Sequence, residues 1–159
     1  MVEVGRPGPE HAELAKLVGS WDLKLRSRTD PAEDWTEVDG TMTAHPILGG
    51  RFVVEEWHAV VMDTPFEGFG LLGFDRLRGC YTSLWTDSFS TWTVTSTGAR
   101  VGPGVIEFRG DMIDVVSPSG RPFRTVETMI DDDHIRSELF DSVGGVETRM
   151  GEVLGTRRR

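Results

Sequence analysis

The chain carries its densest chemistry in one short run, Gly49-Gly50-Arg51-Phe52-Val53-Val54-Glu55-Glu56-Trp57-His58. Read as a strand, it divides by the period-two rule into two faces. Arg51, Val53, Glu55 and Trp57 share one; Phe52, Val54, Glu56 and His58 share the other. Both faces mix apolar and charged residues, so either could look inward, and either would take an ionisable group with it. With Arg51 and Glu55 inward, the two form a buried pair that orients a polar ligand or ties strands together, since buried charges need partners. With Glu56 and His58 inward, they make an acid–base pair for proton transfer; otherwise they are a solvated strand surface. A second run, Tyr81 to Trp92, places Tyr81, Ser83, Trp85 and Asp87 on one face. An indole wall beside one fixed carboxylate suits a ligand pocket, although Asp87-Ser88 also suits a tight turn.

A third run, Gly68-Phe69-Gly70-Leu71-Leu72-Gly73, matches the Gly-x-Gly-x-x-Gly dinucleotide pattern. That chemistry needs a strand before the glycines and a helix opening among them. Here the turn residues Asp63-Thr64-Pro65 precede the run and Arg78-Gly79 follows it, leaving no room for a crossover helix. The glycines are better read as strand positions where a barrel wall bends or another group approaches, with a groove beside Phe69. Four histidines without zinc spacing and a single cysteine point to no metal site. Asp131-Asp132-Asp133 lacks the glycine and distal glutamate of a calcium loop. No cofactor motif is present.

These residues must be positioned by short elements. Only one helix is expected, over about 9–18, with Pro9 and Glu10 at its start, Leu14, Leu17 and Val18 as its apolar stripe and Gly19 at its end. Thereafter turn signals recur about every ten residues. They separate candidate strands at 20–28, 35–45, 50–61, 66–74, 80–87, 89–97, 104–109, 111–117, 122–130, 134–141 and 145–156. The expected class is all-β: an antiparallel up-and-down barrel of about ten strands, spanning about 20–156 in a single domain. The net charge of −9 argues against nucleic acid. No apolar stretch approaches a membrane span and no secretory leader is visible, so a cytoplasmic protein is expected.

Leu48-Gly49-Gly50-Arg51-Phe52, Phe66-Glu67-Gly68 through Gly73-Phe74-Asp75, and Trp85-Thr86-Asp87-Ser88 together resemble the bacterial domain-of-unknown-function family fifteen-seventy-nine. Phe74 stands where that pattern has tyrosine. The opening Leu17-Val18-Gly19-Ser20-Trp21 and the tail from Arg124 to Arg157 fit the same family. The resemblance implies a lipocalin-like (calycin-type) barrel. It also implies that Trp21 packs at the closed end against a late arginine, Arg149 or Arg157, by a cation–π contact. It implies no reaction.

A cytoplasmic barrel binding a small, largely hydrophobic molecule is therefore the leading expectation, with Met42, Arg51, Glu56, Trp57, Phe69 and Trp85 as ligand-binding residues. The first alternative is a cofactor-free isomerase, cyclase or lyase acting on a hydrophobic metabolite through Glu55, His58 and Asp87. The second is a filled barrel serving as a structural or interaction module. A homodimer is compatible with all three.

Overall fold

A computed structural model describes residues 3–159. Ten antiparallel strands close into one barrel: β1 (Gly19–Ser27), β2 (Thr36–Ile47), β3 (Phe52–Val61), β4 (Thr64–Asp75), β5 (Cys80–Asp87), β6 (Val94–Gly102), β7 (Val105–Met112), β8 (Arg121–Asp131), β9 (His134–Val143) and β10 (Val146–Arg157). Each strand pairs with its sequence neighbours, and β10 closes the ring onto β1. The up-and-down barrel is thus observed. Closure leaves no unpaired sheet edge.

The helix is shorter than the apolar stripe predicts. α1 spans Pro9–Leu14 and tightens into a 3-10 turn over Ala15–Leu17. A further 3-10 turn, Glu3–Gly5, precedes it. Leu14 is buried, and Leu17 and Val18 pack against the same cluster as Trp21, Leu23, Met42, Ala44, Val53, Tyr81 and Phe108. This cluster fills the barrel at the helix end. No helix among the described residues is long and apolar enough to cross a membrane.

Two strand assignments change. The segment expected at 104–109 and the start of the one expected at 111–117 are one strand, β7, because Gly110 is not a break, and residues 113–117 fall in the connection after Met112. A Cβ on Gly110 would lie 2.5 Å from the Thr95 carbonyl oxygen and 2.9 Å from the Phe123 ring. The glycine therefore permits close approach of neighbouring chain rather than a turn. Likewise Gly98, expected to end a strand, lies inside β6, where a Cβ would fall 2.7 Å from the Phe108 ring. β6 consequently begins at Val94, and residues 88–93 form a connection at the far end of the barrel. The turn at Met62-Asp63 is a two-residue hairpin with positive φ at both positions, 50° and 60°, the backbone twist that joins adjacent antiparallel strands most directly.

Candidate functional site: two carboxyls facing an apolar cavity

The helix end of the barrel is packed, but the interior beyond it is not. A cavity of about 850 Å³ runs from the helix towards the opposite mouth, within the size range of sites for drug-sized molecules. Its walls include Met42, Trp57, Phe66, Leu72, Trp85 and Phe108. At the mouth the rings of Phe66 and Phe89 meet edge to face at 5.2 Å.

Strand β3 turns Val53, Glu55 and Trp57 inward. Val53 is buried in the core, and Glu55 and Trp57 line the cavity. The outward face holds Glu56 and His58, both exposed. Glu56 lies 3.8 Å from His45 on the adjoining strand, outside the barrel. Glu56 and His58 therefore stand away from the cavity, and they are not brought together with Glu55 or Asp87. Period two makes this unavoidable once Val53 and Trp57 face in.

Arg51 is also outside. It sits in the turn before β3, where its Nε donates to the Gly5 carbonyl oxygen at 3.0 Å and its Nη1 to that of Leu48 at 3.0 Å. The expected Arg51–Glu55 pair does not form; the arginine ties the N-terminal segment to the barrel rim instead. Phe69 lies on the outer face of β4, 40 % exposed, so the groove expected beside it is absent from the interior.

The glycines flanking Phe69 do matter. A Cβ on Gly68 would fall 2.6 Å from Cη2 of Trp85, and one on Gly70 would fall 2.9 Å from Oε2 of Glu55. The former nucleotide signature is thus the thin strand against which an indole and a carboxyl are laid. Trp85 meets Trp57 edge to face at 5.4 Å. Each indole N–H is used on a carboxylate: Trp57 Nε1 donates to Glu55 Oε2 at 3.3 Å, and Trp85 Nε1 donates to Asp87 Oδ2 at 3.0 Å. Asp87 Oδ1 also accepts the Phe89 backbone N–H at 3.0 Å, so Asp87 both lines the pocket and holds the turn.

One site residue escaped sequence reasoning. Glu127 on β8 lines the same cavity. β3 and β8 are five strands apart around a ring of ten, so Glu127 and Glu55 stand on opposing walls. Ser137 Oγ donates to Glu127 Oε1 at 2.8 Å. Both carboxyls are half-buried in the barrel wall and line the cavity. Burial pushes Glu55 up to about 7, against a smaller opposing effect of the Trp57 N–H. Burial likewise pushes Glu127 up to about 7, with the charge of Glu55 across the cavity adding to it and the Ser137 hydroxyl opposing it. Desolvation disfavours the charged form, and among the described residues neither glutamate has a basic partner that offsets that cost.

The two ends of the cavity are tied by ion pairs. At the helix end Glu13 accepts from Tyr81 Oη at 2.5 Å and pairs with Arg100 Nη2 at 2.5 Å. Burial alone would raise the Glu13 carboxyl, but these two donors bring it below its ordinary range. At the mouth Arg121 binds the buried Asp141 in bidentate fashion at 2.7 and 2.8 Å and reaches Asp114 at 2.6 Å, which pins the 113–120 connection. Trp21 at the closed end is fully buried, with the Arg157 guanidinium 4.1 Å from its ring centroid. Of the two arginines that the resemblance allowed, Arg157 takes this place. Arg149 lies 5.5 Å from Trp35 on the outside. Among the described residues, no group of three or more His, Cys, Asp or Glu side chains could hold a metal ion.

Comparison with known proteins agrees with this architecture. The family model described as "Protein of unknown function (DUF1579)" matches residues 6–157. The chain is similar in structure to Rv2717c from M. tuberculosis, with a TM-score of 0.70 at 18 % identity, covering 97 % of this chain and 100 % of that one. At that identity the likeness concerns the fold. No curated protein matches.

Proposed function

The chain belongs to the DUF1579 family of proteins of unknown function, and from that premise we propose that it binds a small, largely apolar molecule inside the barrel. The observation carrying this reading is the cavity itself, about 850 Å³ behind a packed helix end. A filled structural barrel would have no such space. Trp57, Trp85, Met42 and Phe66 supply apolar wall, and Glu55, Asp87 and Glu127 supply the few polar groups that orient a ligand.

A second reading has its own support. Two carboxyls held near neutrality, one on each wall, suit general acid–base chemistry, where the best catalytic pKa lies close to the working pH. On this reading the protein is a cofactor-free isomerase, cyclase or lyase in which Glu55 and Glu127 move protons. A passive binder returns its ligand unchanged, whereas the enzyme returns a product, which mass spectrometry of the recovered ligand separates.

The binding reading is tested with N-phenyl-1-naphthylamine, a neutral apolar dye that brightens on leaving water. Wild-type protein is expected to take it up saturably. Ser83→Trp, which projects an indole from β5 into the cavity, is expected to abolish that signal while the far-ultraviolet circular dichroism stays that of the barrel. Equal dye uptake by both proteins would place binding elsewhere and overturn the reading.

A further inference from the structure

The interior charges are unbalanced in a particular way. The acidic residues lining the cavity are Glu13, Glu55, Asp87, Asp114 and Glu127, and the basic ones are Lys16, Arg100 and Arg136. Arg100 is taken by Glu13, Asp114 by Arg121, and Arg136 lies 3.6 Å from Glu138 on the outer face of β9. Lys16 is exposed on the 3-10 turn. Glu55, Asp87 and Glu127 therefore remain as carboxyls with no basic side chain in an ion pair among the described residues. Beside them stand two perpendicular indoles whose N–H groups are already spent on Glu55 and Asp87. What those indoles still offer an occupant is ring face, which carries negative potential.

We propose that the ligand is a cation with an apolar body, an amine or quaternary ammonium whose nitrogen lies between the opposed carboxyls of Glu55 and Glu127 and against the rings of Trp57 and Trp85. This rests on the cavity being the binding site. Aromatic faces and carboxylates together are the environment that recognises alkylated ammonium groups. The occupant supplies the charge that the walls lack. A buried carboxylate without a partner is costly, and a cation brought in by the ligand removes that cost as it binds. An apolar anion would instead bring a further negative charge into the same space. Cation binding also stabilises the ionised glutamates, so it expels any proton they carry. The affinity then rises with pH through the neutral range, whereas that of an uncharged ligand does not.

The test compares three probes of matched chain length, each below its micelle concentration: decyltrimethylammonium, decan-1-ol and decanoate, competing against the bound dye. The cation is expected to bind at least about tenfold more tightly than the alcohol, a difference of about 1.4 kcal/mol, with decanoate weakest. Glu55→Gln and Glu127→Gln are each expected to remove most of the cation's advantage over the alcohol and its rise with pH. An alcohol or carboxylate that binds as well as the cation would overturn the inference, as would a preference that survives both substitutions or failure of the cation to displace bound dye. Absence of dye binding altogether would instead sink the cavity reading on which it depends.

Discussion

Replacing Glu55 by glutamine makes the protein more stable above neutral pH. In the fold this carboxyl titrates at about 7, against an ordinary value of 4.5. Between those values the folded state holds a proton that the unfolded chain has released, so stability falls as pH rises through the window. Each pKa unit is worth about 1.4 kcal/mol, which makes the full cost of ionising Glu55 in place roughly 3 kcal/mol. Glutamine keeps the shape and the acceptor for the Trp57 N–H but never ionises. Urea unfolding at intervals from about pH 5 to pH 9 should therefore show Glu55→Gln equal to wild type at the acid end and ahead by a few kcal/mol at the alkaline end. Glu127→Gln should behave alike. The double variant should gain less than the sum, because part of the rise at Glu127 comes from the charge of Glu55. His11 acts in the opposite sense. Burial lowers its pKa, so its contribution is present above the ordinary histidine value and lost as the pH falls. The difference between wild type and variant removes that background. A variant no more stable than wild type at pH 8 would mean that Glu55 is solvated.

Trp21→Ala should cost about 3–5 kcal/mol, the range for emptying a fully packed aromatic site. Trp21 is fully buried and donates from Nε1 to the Leu17 carbonyl oxygen at 2.9 Å. Its ring carries the Arg157 guanidinium, which in turn donates to the carbonyl oxygens of Val18, Lys16 and Asp132, each at 2.7 Å. One side chain thus joins the end of the helical segment, the first strand and the last. Removing it opens a hole where there is none and frees the helix, whose backbone amides should exchange faster in the variant. Trp57→Ala is the control. That indole already borders open space, so fewer packing contacts are lost and the cost should be smaller. Equal losses in denaturant unfolding would mean that the two ends of the barrel are packed alike.

The fold was legible because turn residues recur at short, regular intervals, and hairpin connectivity leaves a meander little choice but to close. What failed were glycines. Gly98 and Gly110 look like punctuation, yet each is set inside a strand by the approach of Phe108 or of the Thr95 carbonyl. That information lies in the neighbouring strand and not in the local sequence. The site was half legible. Glu55, Trp57, Trp85, Asp87 and Met42 all reach the cavity, because one parity rule carries a whole strand face inward. The same rule removes Glu56, His58 and Phe69. It could not say in advance which face of β3 was the inner one, since Val53 and Val54 are equally apolar. Glu127 was missed for a similar reason. Phe123, Thr125, Glu127 and Met129 form the inward row of β8, but the outward row, Arg124, Val126, Thr128 and Ile130, is no more polar in the middle. The usable signal was parity with Phe123 and Met129.

If a small molecule enters and fills the barrel interior, the five tryptophans are built-in reporters of it. Trp57, Trp85 and Trp92 border the cavity, Trp21 is sealed in the closed end, and Trp35 lies outside beneath Arg26, Arg28 and Arg149. Indole N–H resonances, assigned by single substitution, can be followed while a cavity-sized apolar probe is added. Binding inside the barrel predicts saturable shifts at Trp57 and Trp85, a smaller one at Trp92 near the mouth, and none at Trp21 or Trp35. Shifts led by Trp35, or no saturable change at Trp57 and Trp85, would contradict it.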